Sequence, residues 1–140
     1  MKSVISIKLV SKPDGEFLYE LLSERQKSVN ISHKKMPTFK QHIKFITSKP
    51  YSKWYIIKNH NQNIGSIYLS KQDEIGIFIK KEFQNKGLGM EAMKLLIEKN
   101  PRRRYLANVN PKNLKSAKFF KKFDFKLIQH TYELEFNVKE

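Results

Sequence analysis

The hydrophobic positions of this chain change period along its length, and the changes mark out its elements. Residues 3–10 alternate, with Ile5, Ile7 and Leu9 on one side, and predict a strand. Pro13, Asp14 and Gly15 punctuate it. Phe17, Leu18, Leu21 and Leu22 recur at helical spacing, a helix ending near Gln26. Residues 27–37 are polar and irregular. Thr38 is placed to cap a second helix, whose apolar face is Phe39, Ile43 and Ile46 and which Pro50 closes. Trp54 to Ile57, a polar tip at 59–63 and an apolar run at 64–69 predict a hairpin, and residues 74–79 a further strand. A helix over 87–99 buries Leu88, Ala92, Leu95 and Leu96. Strand 105–109, a helix from Pro111 to about Phe123, and an extended segment 125–138 complete the order β-α-α-β-β-β-α-β-α-β. That order predicts an α/β chain with a mixed sheet flanked by helices, in one domain over residues 1–140.

Composition narrows the chemistry. The 140 residues suffice for one core, and no apolar run approaches the ~20 residues of a membrane span. With no cysteine there is no disulfide, thiolate nucleophile or Cys-based metal site, and the four histidines lack ligand spacing, so no metal is expected. The first ten residues alternate like a strand rather than a signal peptide, and a cytoplasmic location is the expectation. Net charge is +15, attractive to nucleic acid or polyphosphate ligands. The excess is scattered lysine, 24 Lys against 4 Arg, which argues against a nucleic-acid module. The one tight run, Arg102-Arg103-Arg104, reads as a solvated turn.

One segment carries chemistry. Gln84-Asn85-Lys86-Gly87-Leu88-Gly89 follows a strand and opens a helix. Helix-start N–H groups lack intrahelical partners and carry partial positive charge, and glycine lets a ligand approach the backbone. The segment is therefore a candidate phosphate loop. It is not a P-loop, because its lysine precedes the glycines and no Ser or Thr follows; it also lacks the third glycine of the dinucleotide fingerprint.

Gln-x-x-Gly-x-Gly after a strand resembles the coenzyme-A pyrophosphate loop of the GCN5-related N-acetyltransferases (GNAT). A second block, Asn113, Ser116, Phe120 and Phe125, is similar to that family's N-x-x-[SA]-x-x-x-[YF]-x-x-x-G-F pattern, and the element order agrees over nearly the whole chain. The resemblance implies acetyl-CoA as donor and a primary amine as acceptor, in a fold whose fourth and fifth strands splay apart. It implies that the backbone of Ile77, Phe78 and Ile79 pairs with the pantetheine, with the N–H of Phe78 or Ile79 stabilising the oxyanion. Gln84, Asn85, Lys86, Gly87, Leu88, Gly89 and Met90 would hold the pyrophosphate, Asn113 the polar arm, and Phe119 or Phe120 the apolar segment, with one of the two rings left to the core.

Two departures affect the proton transfers. Phe120 stands where many members carry the tyrosine that protonates the leaving thiolate; Tyr105 and Tyr132 are the alternatives, both out of register. Asn108 stands where the ribosomal-protein N-terminal acetyltransferases carry a glutamate, which counts against that subclass. Glu74 lies close to the base position of the histone-type members and is the candidate general base. Asp124 replaces the usual glycine before Phe125. In this fold the segment after the first helix lines the acceptor site, making Arg25, Asn30, Ser32, His33 and Met36 candidate acceptor residues. The expected acceptor is a small-molecule amine such as an amino sugar or sugar nucleotide, with a protein amine or a CoA-binding sensor as alternatives. The expected assembly is a monomer or homodimer, with no membrane partner.

Overall fold

The computed structural model describes residues 4–28 and 36–137. Its strands are β1 (Ile5–Leu9), β2 (Lys53–Asn59), β3 (Gln62–Leu69) and β4 (Ile75–Ile79), in the order β1-β2-β3-β4. All three pairings are antiparallel. His60 and Asn61 link β2 to β3 with φ of 50° and 66°. Positive φ at both positions of a two-residue loop is the type I′ turn, which matches strand twist, and asparagine tolerates it best after glycine.

Alternation gives the sheet two apolar faces. One carries Ile56, which packs on Leu18 of α1 (Gly15–Ser28) and Ile46 of α2 (Phe39–Thr47). The other carries Tyr55, Ile57, Ile67, Leu69, Ile75 and Ile79. Ala92, Met93 and Leu96 of α3 (Leu88–Lys99) and Phe120 of α4 (Leu114–Lys122) close over it. Thr38 accepts from the Gln41 N–H and Gln41 returns the bond to the Thr38 N–H, a reciprocal cap that starts α2 where expected. Asn100 ends α3, donating through Nδ2 to the Leu96 carbonyl and the Tyr55 hydroxyl, each at 3.0 Å.

Two expected strands are corrected. Residues 105–109 form no ladder; Leu106 makes a single parallel bridge with Glu74. Its N–H donates to Asp73 O at 2.9 Å and its carbonyl accepts from the Ile75 N–H at 2.7 Å. Pairing stops there, so β4 and the following segment share one end and part toward the other. Residues 126–137 are not a strand either. They form no ladder among the described residues and are exposed throughout. Helix α4 also starts later than expected, at Leu114 rather than Pro111, with Asn113 as its cap.

Candidate active site

The loop after β4 is shaped by residues that tolerate left-handed backbone. Asn85 has φ of 63° and Gly87 of 77°, and Gly87 is the N-cap of α3. A Cβ built on Gly87 would meet nothing within 4 Å, so the front of the loop opens outward. At Gly89 the constraint differs: a Cβ there would lie 3.0 Å from the Phe119 ring, so glycine lets α4 approach the loop. Leu88 is turned into the core, leaving Lys86 and Gly87 exposed at the mouth.

Gln84 fastens this loop. Its Nε2 donates to the Ile79 carbonyl at 2.7 Å and its Oε1 accepts from Lys115 Nζ at 2.9 Å. Lys115 is therefore drawn from α4 to the loop and adds a cation at Gln84. Sequence spacing held no sign of this, because the approach of α4 brings it there. Asn113 Oδ1 accepts the Ser116 N–H at 3.1 Å and caps α4; only its Nδ2 donors are left for a ligand. Phe120 is buried against Phe119 and Phe125, so it is the core ring of the pair, and Phe119 is the ring beside the loop.

Ladder parity decides which backbone groups face the gap. Lys80 N–H donates to Ile64 O on β3, whereas Ile75 N–H donates away from β3, to Leu106. Hydrogen-bonding direction alternates along a strand. Phe78 N–H therefore points into the sheet, and the N–H groups of Ile77 and Ile79 point into the gap. Of the two expected oxyanion donors, Ile79 has the suitable direction.

Glu74 stands at the far end of β4 from the loop. Its Oε1 accepts from the Ser70 hydroxyl at 3.2 Å and its Oε2 from Asn108 Nδ2 at 2.6 Å. Neither tyrosine named as an alternative acid reaches the gap. The Tyr105 hydroxyl donates to Asn100 O at 2.6 Å and accepts from the Arg102 N–H, and Tyr132 is 89% exposed.

On the α1/α2 face lies a cavity of about 360 Å³. Arg25, His42, Tyr51, Trp54, Tyr68 and Phe78 are among its lining residues. Phe78 links it to β4. Gly76 makes room for the Tyr68 ring, which stacks on Tyr51 with centroids 3.8 Å apart. Burial, with Tyr68 adding to it, pushes the Tyr51 hydroxyl up to about 12. Burial lowers the His42 imidazole below its ordinary value, which favours the neutral ring. His42 Nε2 and Trp54 Nε1 are buried without a hydrogen-bond partner among the described residues. Both residues escaped the sequence reading; a lone histidine on a helix face carries no ligand spacing. Of the expected acceptor residues, Arg25 lines the cavity. Met36 is half-buried beside the lining residue Pro37, and Asn30, Ser32 and His33 lie outside the described residues.

The donor set fits a coenzyme-A group. A glycine-opened helix start carries Lys86, Lys115 reaches Gln84 from α4, and the edge of β4 turned from β3 offers two N–H groups to an extended amide chain. Among the described residues, no cluster of His, Asp or Glu could hold a metal, and no helix is long and apolar enough to cross a membrane.

Comparison with known proteins agrees with this geometry. A domain from Methanocaldococcus jannaschii superposes with a TM-score of 0.79 at 21% identity, over 94% of each chain. A ribosomal alpha-N-protein acetyltransferase in complex with coenzyme A superposes at 0.74 with 15% identity, over 91% of this chain and 83% of that one. An aminoglycoside acetyltransferase from an uncultured soil metagenomic sample superposes at 0.68 with 9% identity, over 97% of both. These likenesses are of fold. No curated protein sequence matches the chain. The profile of the acetyltransferase (GNAT) family matches residues 16–125. With that match over most of its length, the chain belongs to the GNAT family of acetyl-CoA-dependent acetyltransferases.

Proposed function

We propose that this enzyme acetylates the primary amine of a small ring-bearing molecule, with an amino sugar or a nucleotide-linked amino sugar as the acceptor class. The cavity beside Phe78 is the observation that carries this reading. Its size falls within the roughly 300–1,000 Å³ of small-molecule sites. The faces of Trp54, Tyr51 and Tyr68 suit the C–H faces of a sugar ring, and the unpartnered nitrogens of His42 and Trp54 suit its oxygens. Arg25 suits a phosphate, which a guanidinium grips through paired N–H groups.

When bound, acetyl-CoA supplies the acetyl group as a thioester whose C–S bond breaks as the C–N bond to the amine forms. The loop at 84–89, with Lys86 and Lys115, holds the phosphates; Asn113 and Phe119 border the same cleft. The Ile79 N–H is placed to stabilise negative charge on the acetyl oxygen. Glu74, five residues along β4 from Ile79 and so about 16 Å away along the strand, takes the amine proton through a relay of waters, because an ammonium has no lone pair with which to attack. Phe120 donates no proton, and a thiolate of solution pKa about 8–9 leaves without one.

The test is a panel of amines assayed with acetyl-CoA by release of free thiol. Turnover of amino sugars or their nucleotide conjugates, and not of peptides, is expected. Turnover confined to peptide amino groups would overturn the acceptor assignment.

A further inference from the structure

We propose, resting on Glu74 as the base, that the Tyr68 hydroxyl is the midway station of the proton relay from the acceptor amine to Glu74. Tyr68 lies on β3 and pairs with Gly76 of β4. A Cβ on Gly76 would overlap Cζ, Cε2 and Oη of Tyr68. The ring therefore crosses β4 where glycine leaves the space, and it carries its hydroxyl from β3 to the strand that borders the gap. Covering a bare glycine needs only the ring; the hydroxyl has no part in that.

The hydroxyl is on the acceptor side of the sheet. Side chains alternate along a strand, so Glu74, Gly76 and Phe78 share a face. Phe78 and Tyr68 both line the cavity. The hydroxyl also divides the distance. Gly76 is two residues from Glu74, about 7 Å along the strand, and three from Ile79, about 10 Å. Hydrogen-bonded oxygens stand roughly 2.7–2.8 Å apart, so an unbroken path of about 16 Å needs roughly five waters in file. A hydroxyl fixed at Gly76 splits that file into two short runs.

The hydroxyl is held in place. The Tyr68 ring stacks on Tyr51 at an interplanar angle of 6°, and Tyr51 meets Trp54 edge-on with centroids 5.0 Å apart. Burial first, and then Tyr68 beside it, push the Tyr51 hydroxyl up to about 12, so Tyr51 stays protonated and is a donor to Tyr68 Oη. Tyr68 keeps its own O–H for the Glu74 side and accepts from the amine side. The ammonium N–H bond breaks to a water. Tyr68 Oη takes a proton from that side as its O–H gives one toward Glu74. Glu74 ends as the carboxylic acid, Tyr68 is unchanged, and the amine gains the lone pair that attacks the thioester.

Profiles of kcat against pH for the parent, Tyr68→Phe, Glu74→Gln and the double variant test this, on whichever amine the parent turns over. Phenylalanine keeps the ring on Gly76 and Tyr51 and removes only the hydroxyl. Between about pH 7 and pH 9.5 Arg25 of α1 stays charged, His42 of α2 neutral and Tyr51 protonated, so none of these cavity groups shapes the profile. Tyr68→Phe should lower kcat about tenfold or more near pH 7, with the deficit shrinking toward about pH 9.5, where solvent supplies free amine. Dissociation constants for coenzyme A and for the amine, by calorimetry, should not change. The double variant should be no slower than Glu74→Gln, because residues serving one step are not additive. Parental kcat in Tyr68→Phe, a loss confined to amine binding, a loss independent of pH, or losses that multiply in the double variant would each overturn the relay. If Glu74→Gln itself keeps the parental profile, the base assignment falls and the relay with it. If Tyr68→Phe alone keeps it, the relay falls and Glu74 stands.

Discussion

Asn108 Nδ2 donates to Glu74 Oε2 at 2.6 Å, bridging the start of β4 and the segment that parts from it. The two residues that the family resemblance sets at or close to a base position thus bond to one another in this chain. The glutamate is present on one side and an amide faces it from the other. The amide donor holds the carboxylate in one orientation across the gap.

Replacing Glu74 by Gln should lower turnover on the order of 10²-fold or more, with the deficit largest at low pH, where the amine most needs deprotonation. Asn108→Ala should leave Glu74 in place and cause a smaller loss. A pH–rate profile of Glu74→Gln that overlays the parent would remove Glu74 as the base.

Gly87→Glu should abolish coenzyme-A binding while leaving the fold intact. The added side chain would enter open space, since no atom lies within 4 Å of its Cβ. It would also place negative charge where the phosphates belong. Gly87→Ala serves as the control for backbone strain at φ 77°, which costs roughly 1–2 kcal/mol for a residue with a Cβ. Calorimetric titration with coenzyme A separates the two: the alanine variant should bind and the glutamate variant should not.

The turn at residues 84–89 was legible in the sequence because its requirements are local. Positive φ at Asn85 and Gly87 and a helix start after a strand are written within six residues. The β2–β3 hairpin was legible for the same reason. Lys115 and His42 were not, because both are brought to their sites by packing between elements distant in the chain. Residues 126–137 were misread differently. Their period-2 pattern predicts a strand, but alternation states only that one face needs cover, and a strand also needs an edge to pair with, which the pattern does not supply.

His42 should make the protein acid-labile in a defined window. Burial lowers its pKa below the ordinary 6.5, so the unfolded chain binds a proton more readily than the folded one. Stability from this group is complete above about pH 6.5 and is lost as pH falls from there toward the depressed folded value. Asp14 adds a second loss at lower pH. Burial raises its carboxyl, but the Ser11 N–H and the Lys8 ammonium outweigh that and hold it below 3.8. Thermal melts across pH 5–7.5 should show a falling Tm that His42→Gln flattens. An unchanged slope in that variant would assign the acid lability elsewhere.

Asp124 is the exposed residue that turns the chain out of α4, at φ 68°. The Asp124 N–H donates to Lys121 O at 2.9 Å and the Phe125 N–H to Phe120 O, so the left-handed residue closes the helix and sets the direction in which the chain leaves it. Aspartate tolerates this backbone better than most residues, and glycine tolerates it without strain. Asp124→Gly should therefore relieve strain of roughly 1 kcal/mol, offset by the 0.4–1 kcal/mol of extra freedom that glycine gives the unfolded chain. The net change should lie within about 0.5 kcal/mol of zero. Asp124→Val should lose about 1–2 kcal/mol, because a β-branched side chain resists positive φ. Urea unfolding of both variants measures the contrast. Equal loss in the two would mean that the Asp124 side chain, and not its backbone conformation, holds the turn.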